Sequence, residues 1–274
     1  MQAPCGLVTL LTDFGLSDPF VGVMKGVLCT AHPTLRVIDV THGIGPGRVA
    51  EGAFWLERSY RHFPHGTVHC AVVDPGVGST RAAVVVAAEH HFFVGPDNGL
   101  LAEVTLRAPH VELRTIDGAR HGLSGASNTF HGRDVFAVVA GRLAARELSF
   151  GDVGPLSSLQ VPSPIPGVIS ESDGFVGCVL TADHFGNLIT SLRASEVLPT
   201  SDAPFLVRIA GQSLRSVPTF ADAEPGELVA LVGSFDAIEL AVRDGSALER
   251  VLPVLLGAGA ACAEKATAVK LFPS

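Results

Sequence analysis

The segment Thr67-Val68-His69-Cys70-Ala71-Val72-Val73-Asp74-Pro75-Gly76-Val77-Gly78-Ser79-Thr80-Arg81 decides how the first half of the chain is read. Thr67–Val73 is a mostly apolar run of strand length, and Asp74-Pro75-Gly76 breaks it into a tight turn. Ala82–Ala88 follows as another strand. Towards lower numbers, Val49–Tyr60 has the apolar spacing of an amphipathic helix, stopped by His62-Phe63-Pro64, and Leu35–Val40 is a strand. Leu7–Leu11 reads as a buried strand. After it Asp18-Pro19 opens a helix, with Asp18 as the cap, Pro19 in the first helical position, and Phe20, Met24, Val27 and Leu28 as the apolar stripe. Towards higher numbers Val135–Arg146 is a later helix. Strands and helices in alternation predict α/β layers around a mostly parallel sheet.

The rhythm changes at the proline-rich stretch Val161-Pro162-Ser163-Pro164-Ile165-Pro166-Gly167, which reads as a linker. Beyond it Phe175–Thr181, Leu188–Leu192, Phe205–Ile209, Leu228–Val232 and Ile238–Val242 are strand-like and separated by Gly, Asp and Pro turns, predicting a small antiparallel β domain. The expected division is an α/β domain over 1–160, a linker over 161–167 and a β domain over 168–274.

The chain has 274 residues, 47% hydrophobic and 17% charged, with 30 glycines, which suits one large core or two modest ones. The longest apolar run, Val251–Ala263, is interrupted by Pro253 and is shorter than the roughly 20 residues of a membrane span. No basic region precedes an apolar stretch at the N-terminus, so a cytoplasmic protein without membrane partners is expected. The cysteines (Cys5, Cys29, Cys70, Cys178, Cys262) are scattered without a C-x-x-C pair and read as buried small residues of a reducing compartment. Net charge is −8 and the only lysines are Lys25, Lys265 and Lys270, so no nucleic-acid partner is expected.

Asp13-Phe14-Gly15 and His131-Gly132-Arg133-Asp134 imitate protein-kinase motifs, but in reversed order and without the kinase glycine-rich loop and strand lysine. Gly43-x-Gly45-x-Gly47 and Gly257-x-Gly259 lack the third glycine of a dinucleotide fingerprint and are turns.

Polar residues gather instead at the ends of the strands, where open α/β sheets place their sites. Asp13 follows the first strand; its carboxylate could accept both hydroxyls of a ribose, as a turn aspartate would also look. In the Asp74–Arg81 loop an arginine close to an aspartate fixes the carboxylate's charge and orientation, in a site or in a structural ion pair alike. His131 enters a helix, one of 11 histidines in the chain. In Asp183-His184-Phe185-Gly186-Asn187 an aromatic could stack on a purine and Asn187 could bind its edge, with a plain polar turn as the alternative. The chain's three asparagines, Asn98, Asn128 and Asn187, all lie in these polar loops.

Taken in order, LTDFG with the VGVMKGV helix, IDVTHGI, GTVHCAVVDPGVGSTR, FVGPDNGLL, TFHGRDVFA, ADHFGNLIT and VGSFDAIELA resemble the S-adenosylmethionine hydroxide adenosyltransferases, relatives of fluorinase and chlorinase, over roughly residues 7–245. The resemblance implies an N-terminal three-layer α/β sandwich with a mostly parallel sheet, a C-terminal antiparallel β-barrel, and a homotrimer with inter-subunit sites. It implies catalytic roles for Asp74, Arg81 and His131. Asp13 would hold the ribose diol, Phe185 and Asn187 the adenine, and Asp183 and Ser234 the amino-acid end. No metal or organic cofactor is implied. Halogenases of the group carry tyrosine where Asp74 stands. Fluorinase has tryptophan at the position of Gly47, serine at that of Gly132 and arginine at that of Phe235. The expected reaction is therefore attack by water on the ribose 5′ carbon of S-adenosyl-L-methionine, giving adenosine and L-methionine. The competing expectations are a nucleoside halogenase, a non-catalytic adenosine or S-adenosylmethionine binder, and a hydrolase holding Mg²⁺ or Mn²⁺ through Asp13, Asp74, His131 and Asp134.

Overall fold

A computed structural model describes residues 2–123, 125–251 and 268–273. It comprises two compact units, Met1–Pro164 and Ile165–Ser274. No described helix is long and apolar enough to cross a membrane. Cys262, Lys265 and Gly257-x-Gly259 lie outside the described residues.

The first unit runs β1 (Leu7–Thr12), α1 (Phe20–Ala31), β2 (Arg36–Thr41), α2 (Val49–Ser59), β3 (Val68–Val72), β4 (Ala83–Ala88), β5 (His91–Pro96), α3 (Ala102–Arg107), β6 (Val111–Thr115), α4 (Val138–Ala144) and β7 (Leu156–Ser157). The sheet order is β2-β1-β3-β5-β4-β6-β7. Pairings among β2, β1, β3 and β5 are parallel, and those along β5, β4, β6 and β7 are antiparallel, so the sheet is mixed. The change of sense comes at Glu89-His90, a two-residue turn with φ of 45° and 66° that folds β5 straight back on β4.

Alternate residues of each central strand enter opposite cores, as the two-residue period of a strand dictates. Val8, Leu10, Cys70, Val72, Val85, Ala87 and Val94 pack with Met24 and Leu28 of α1 and with Val139, Ala140 and Leu143 of α4. On the other face Leu11, Ala71, Val84, Val86 and Phe93 pack with Ala53 and Leu56 of α2 and Val104 of α3. The result is helix–sheet–helix layering.

Three local expectations are corrected. Pro19, not Asp18, occupies the cap position of α1, which begins at Phe20 and has no side-chain cap bond. Phe20 does not join the buried stripe: it is 44% exposed and makes edge contacts with Phe14 and Phe130. The helix expected over Val135–Arg146 opens earlier, as a wide π turn over Gly132–Ala137 that leads into α4. Of the described cysteines only Cys70 is buried; Cys29 lies on the outer side of α1 and is exposed.

The second unit contains β8 (Ile169–Glu171), β9 (Gly174–Ala182), β10 (Leu188–Arg193), the short helix α5 (Ala194–Val197), β11 (Phe205–Ile209), β12 (Gln212–Arg215), β13 (Leu228–Val232), β14 (Ala237–Val242) and β15 (Ala268–Pro273). Its strands follow the order β12-β11-β15-β9-β10-β14-β13, with β8 also on β9 and every strand pairing antiparallel. A bridge between Ser216 and Ala230 brings the two ends of this path together, giving a nearly closed barrel. Leu188, Leu192, Val207, Ile209, Ile238, Leu240, Val269 and Leu271 fill its interior. The stretch read as a linker is anchored at its start: Asp97 accepts from the backbone N–H groups of Gln160 and Val161, and Ser163 donates to Glu103.

Candidate active site

Asp13 and Asp74 stand just beyond the carboxyl ends of the adjacent parallel strands β1 and β3. The loop after Asp74 is tightened by Val77 N donating to the Asp74 carbonyl and Ser79 N to that of Gly76. Gly78, at φ +79°, lets this loop close on the segment before His131: a Cβ there would stand 2.4 Å from the Asn128 carbonyl oxygen. That close approach brings together residues fifty positions apart.

Asp74, Arg81 and His131 meet at this junction. Arg81 Nε donates to Asp74 Oδ1 and Oδ2 at 3.0 and 2.9 Å, and Nη2 donates to Oδ2 as well. The same Nη2 lies 2.7 Å from His131 Nδ1. The side chains of Arg81 and Asp74 are 10% and 4% exposed, and the guanidinium lies over the Phe136 ring. A guanidinium is a donor only, so Nδ1 accepts, and the neutral imidazole carries its proton on Nε2. Burial, and then the Arg81 charge, lower the His131 pKa from the ordinary histidine value. The ring is thus held neutral, with an N–H to offer.

Asp13 Oδ2 accepts from the Gly47 N–H at 2.8 Å, leaving Oδ1 without a hydrogen bond among the described residues. Behind it runs a polar chain that the sequence reading missed, although IDVTHGI contains two of its members. Thr12 Oγ1 is 2.8 Å from His42 Nδ1, His42 Nε2 is 3.1 Å from Asp39 Oδ1, and Lys25 Nζ donates to Asp39 Oδ2 at 2.6 Å. Asn98 has a structural job, donating to the Val73 carbonyl and so fixing the end of β3. Asp134 accepts from Arg133 and from Ser127 N. Among the described residues no three His, Cys, Asp or Glu side chains converge as a cation site. A separate cleft of about 690 Å³, lined by Arg61, His65, Glu89, His90 and His110 among others, opens at the other end of the sheet, where β5 begins.

In the second unit Asp183, Phe185 and Asn187 share the β9–β10 turn, and Ser234 lies exposed in the β13–β14 turn. Phe185 is 75% exposed. Asp183 Oδ1 accepts from Phe185 N and Asn187 N, and Oδ2 from Asn187 Nδ2, so this carboxylate is largely occupied by its own turn. Asn187 is buried and keeps its Oδ1 as an acceptor.

Fold and polar junction together mark an enzyme of the α/β class. Residues 8–154 match the SAM hydroxide adenosyltransferase N-terminal domain and residues 177–254 the C-terminal domain of the same family. The chain is 42% identical over 251 residues to the (R)-S-adenosyl-L-methionine hydrolase of Salinispora tropica, covering 90% of this chain and 94% of that protein. It is 37% identical to the enzyme of the same name from Thermus thermophilus, covering 88% and 94%, and 25% identical to a fluorinase of Actinoplanes, covering 86% and 90%. An uncharacterized conserved protein from Thermotoga maritima superposes with a TM-score of 0.81 at 32% identity, covering 96% of this chain and 99% of that one. The chain belongs to the SAM hydroxide adenosyltransferase family.

Proposed function

We propose that this chain hydrolyses (R)-S-adenosyl-L-methionine to adenosine and L-methionine, with Asp74, Arg81 and His131 as the reacting centre. The observation that carries the reading is the shared guanidinium contact of Asp74 and His131 at the exit of β3. The names of the 42% and 37% identical relatives support the substrate and its sulfonium configuration.

The sulfonium is a good leaving group, so the difficulty lies in water, a poor nucleophile with a pKa of about 15.7. One water donates a hydrogen to Asp74, accepts from His131 Nε2–H, and points its remaining lone pair at the 5′ carbon, in line with the sulfur. The O–C5′ bond forms as C5′–S breaks, sulfur keeps the electron pair as a neutral thioether, and the proton passes to Asp74 and on to solvent. Arg81 holds both partners in register. A cation and a developing hydroxide become neutral products, so exclusion of bulk water favours the step, and alignment supplies much of the rate. Asp13 binds the ribose hydroxyls, Phe185 and Asn187 the adenine, and Asp183 and Ser234 the neighbourhood of the amino-acid end. A homotrimer in the cytoplasm, with sites built between subunits and without metal or organic cofactor, completes the reading. The fixed carboxylate of Asp74 disfavours a halide nucleophile, which sets hydrolysis ahead of halogenation.

The test is turnover of S-adenosyl-L-methionine in ¹⁸O-water, with mass spectrometry of the adenosine. Label in the 5′-hydroxyl is expected. Unlabelled adenosine, a 5′-halogenated nucleoside formed with chloride or fluoride, or binding without turnover would each reject the proposal.

A further inference from the structure

Glu239 is a carboxyl group in an unusual place. It sits within β14, opposite Ile189 of β10 and Leu231 of β13. Its neighbours Ile238 and Leu240 point into the barrel interior, while Glu239 shares the other face of the strand with Ala241. Glu239 is only 8% exposed, yet it makes no hydrogen bond or ion pair with any described residue. A buried carboxyl without a donor costs free energy that a valine or threonine there would not, and its retention asks for a partner outside the chain.

Its surroundings name that partner's chemistry. The carboxyl lies over the backbone of Gly233, where a Cβ would come within 1.7 Å of Oε1, so glycine alone permits this placement. Gly233 leads directly into Ser234. Burial, and then the nearby Asp183 carboxylate, push the Glu239 pKa up to about 7. Asp183 is the one charged group acting on it. Asp183 already accepts three hydrogen bonds from its own turn, whereas Glu239 has its acceptors free. A negative potential from two carboxyls, with unused lone pairs on one of them, fits a cation bearing several N–H donors better than any neutral or anionic group.

We propose that Glu239 is a substrate-recognition residue that accepts a hydrogen bond from the α-ammonium group of the aminoacyl substrate, across Gly233 and beside the Asp183 turn. This rests on the reading of the substrate given above and corrects it in one respect. Asp183 shapes the turn and supplies charge, while Glu239 makes the contact. Binding the ammonium keeps Glu239 ionised and removes the cost of its burial.

Steady-state kinetics of wild type and Glu239→Gln on two sulfonium substrates test the idea. One is S-adenosyl-L-methionine and the other its analogue with hydrogen in place of the α-amino group. KM for the natural substrate should rise about ten- to hundredfold, the loss of one charge-assisted hydrogen bond, with kcat within about threefold. kcat/KM for the analogue should not change. Gly233→Ala, which displaces the carboxyl without deleting it, should repeat the pattern. The melting temperature of Glu239→Gln should equal or exceed that of the wild type, since an unpaired buried charge is removed. Equal losses on both substrates, or no loss on the natural one, overturn the proposal while leaving the hydrolase reading intact. A wild-type protein that fails to turn over S-adenosyl-L-methionine rejects the hydrolase reading, and the proposal falls with it.

Discussion

Arg81 Nη2 stands 2.7 Å from His131 Nδ1 while the same guanidinium grips both oxygens of Asp74. One planar fork therefore sets the distance between the two polar groups and the tautomer of the ring. A lysine is a point charge without that fork. Arg81→Lys is expected to lower kcat by about a hundredfold, similar to losing acid–base assistance altogether. Asp74→Ala and His131→Ala should each lose at least about as much, while adenosine binding measured by calorimetry persists. Wild-type rates in these variants would remove the three residues from the mechanism.

The neutral state of His131 has a pH signature. Its pKa is lowered by burial and by Arg81, so the donor Nε2–H on a neutral ring persists below the usual histidine range. kcat/KM for S-adenosyl-L-methionine should stay flat from pH 8 down through about 6.5 and fall only at lower pH. An acid limb centred above about 6.5 would contradict the arrangement.

Stability has an acid limb of its own. His91, 2% exposed and 3.1 Å from His69 Nε2, has its pKa lowered to about 4 by burial and by neighbouring histidines, and His69 is lowered further. A depressed folded-state value means that the unfolded chain takes up the proton first. The stabilisation is full above about pH 6.5 and is lost as pH falls towards 4. For His91 alone this amounts to roughly 3 kcal/mol. Urea unfolding at pH 7 and 4.5 should show the loss, and His91→Phe should lose less than the wild type over that interval.

Gly78→Ala separates activity from folding. The new Cβ would stand 2.4 Å from the Asn128 carbonyl oxygen at a φ of +79°, pushing the Asp74 loop away from the strand leading to His131. Misplacement of a reacting group by about an ångström costs up to roughly a hundredfold in rate. A fall in kcat of more than about tenfold is expected, with far-ultraviolet circular dichroism unchanged. Unaltered kcat would mean that the two loops do not need this contact.

Phe185, at 75% exposure, contributes little to the fold. Phe185→Ala should shift the unfolding free energy by no more than about 0.5 kcal/mol. It should raise KM about tenfold if the ring stacks on adenine. An unchanged KM would release Phe185 from the nucleoside site.

Much of this architecture is legible in the chain because apolar runs and polar strand ends alternate cleanly. Val68–Val72 and the Asp74 turn lie within a residue of where the pattern puts them. β5 escapes that reading because Glu89-His90 reverses the chain without glycine or asparagine, by holding two ordinary residues at positive φ. The π turn at Gly132 is equally silent, its cause being crowding from Phe14, Met24 and Phe130 rather than any breaker. Asp74 and Arg81 are seven residues apart and suggest each other, whereas His131 joins them only through the Gly78–Asn128 approach. Glu239 is hidden by its setting, since one acidic residue in an alternating strand reads as a solvent-facing position, and only the neighbouring strands reveal that it is covered.

The six residues of β15 come after every other described strand, yet they lie between β9 and β11. A cut just upstream of Ala268 would therefore withdraw a keystone rather than trim a tail, leaving two raw strand borders on either side of one slot. Such borders recruit strands from other molecules. Nicking at that point would favour strand exchange between copies, and a free peptide spanning 268–273 would act as a competitive plug for the empty slot.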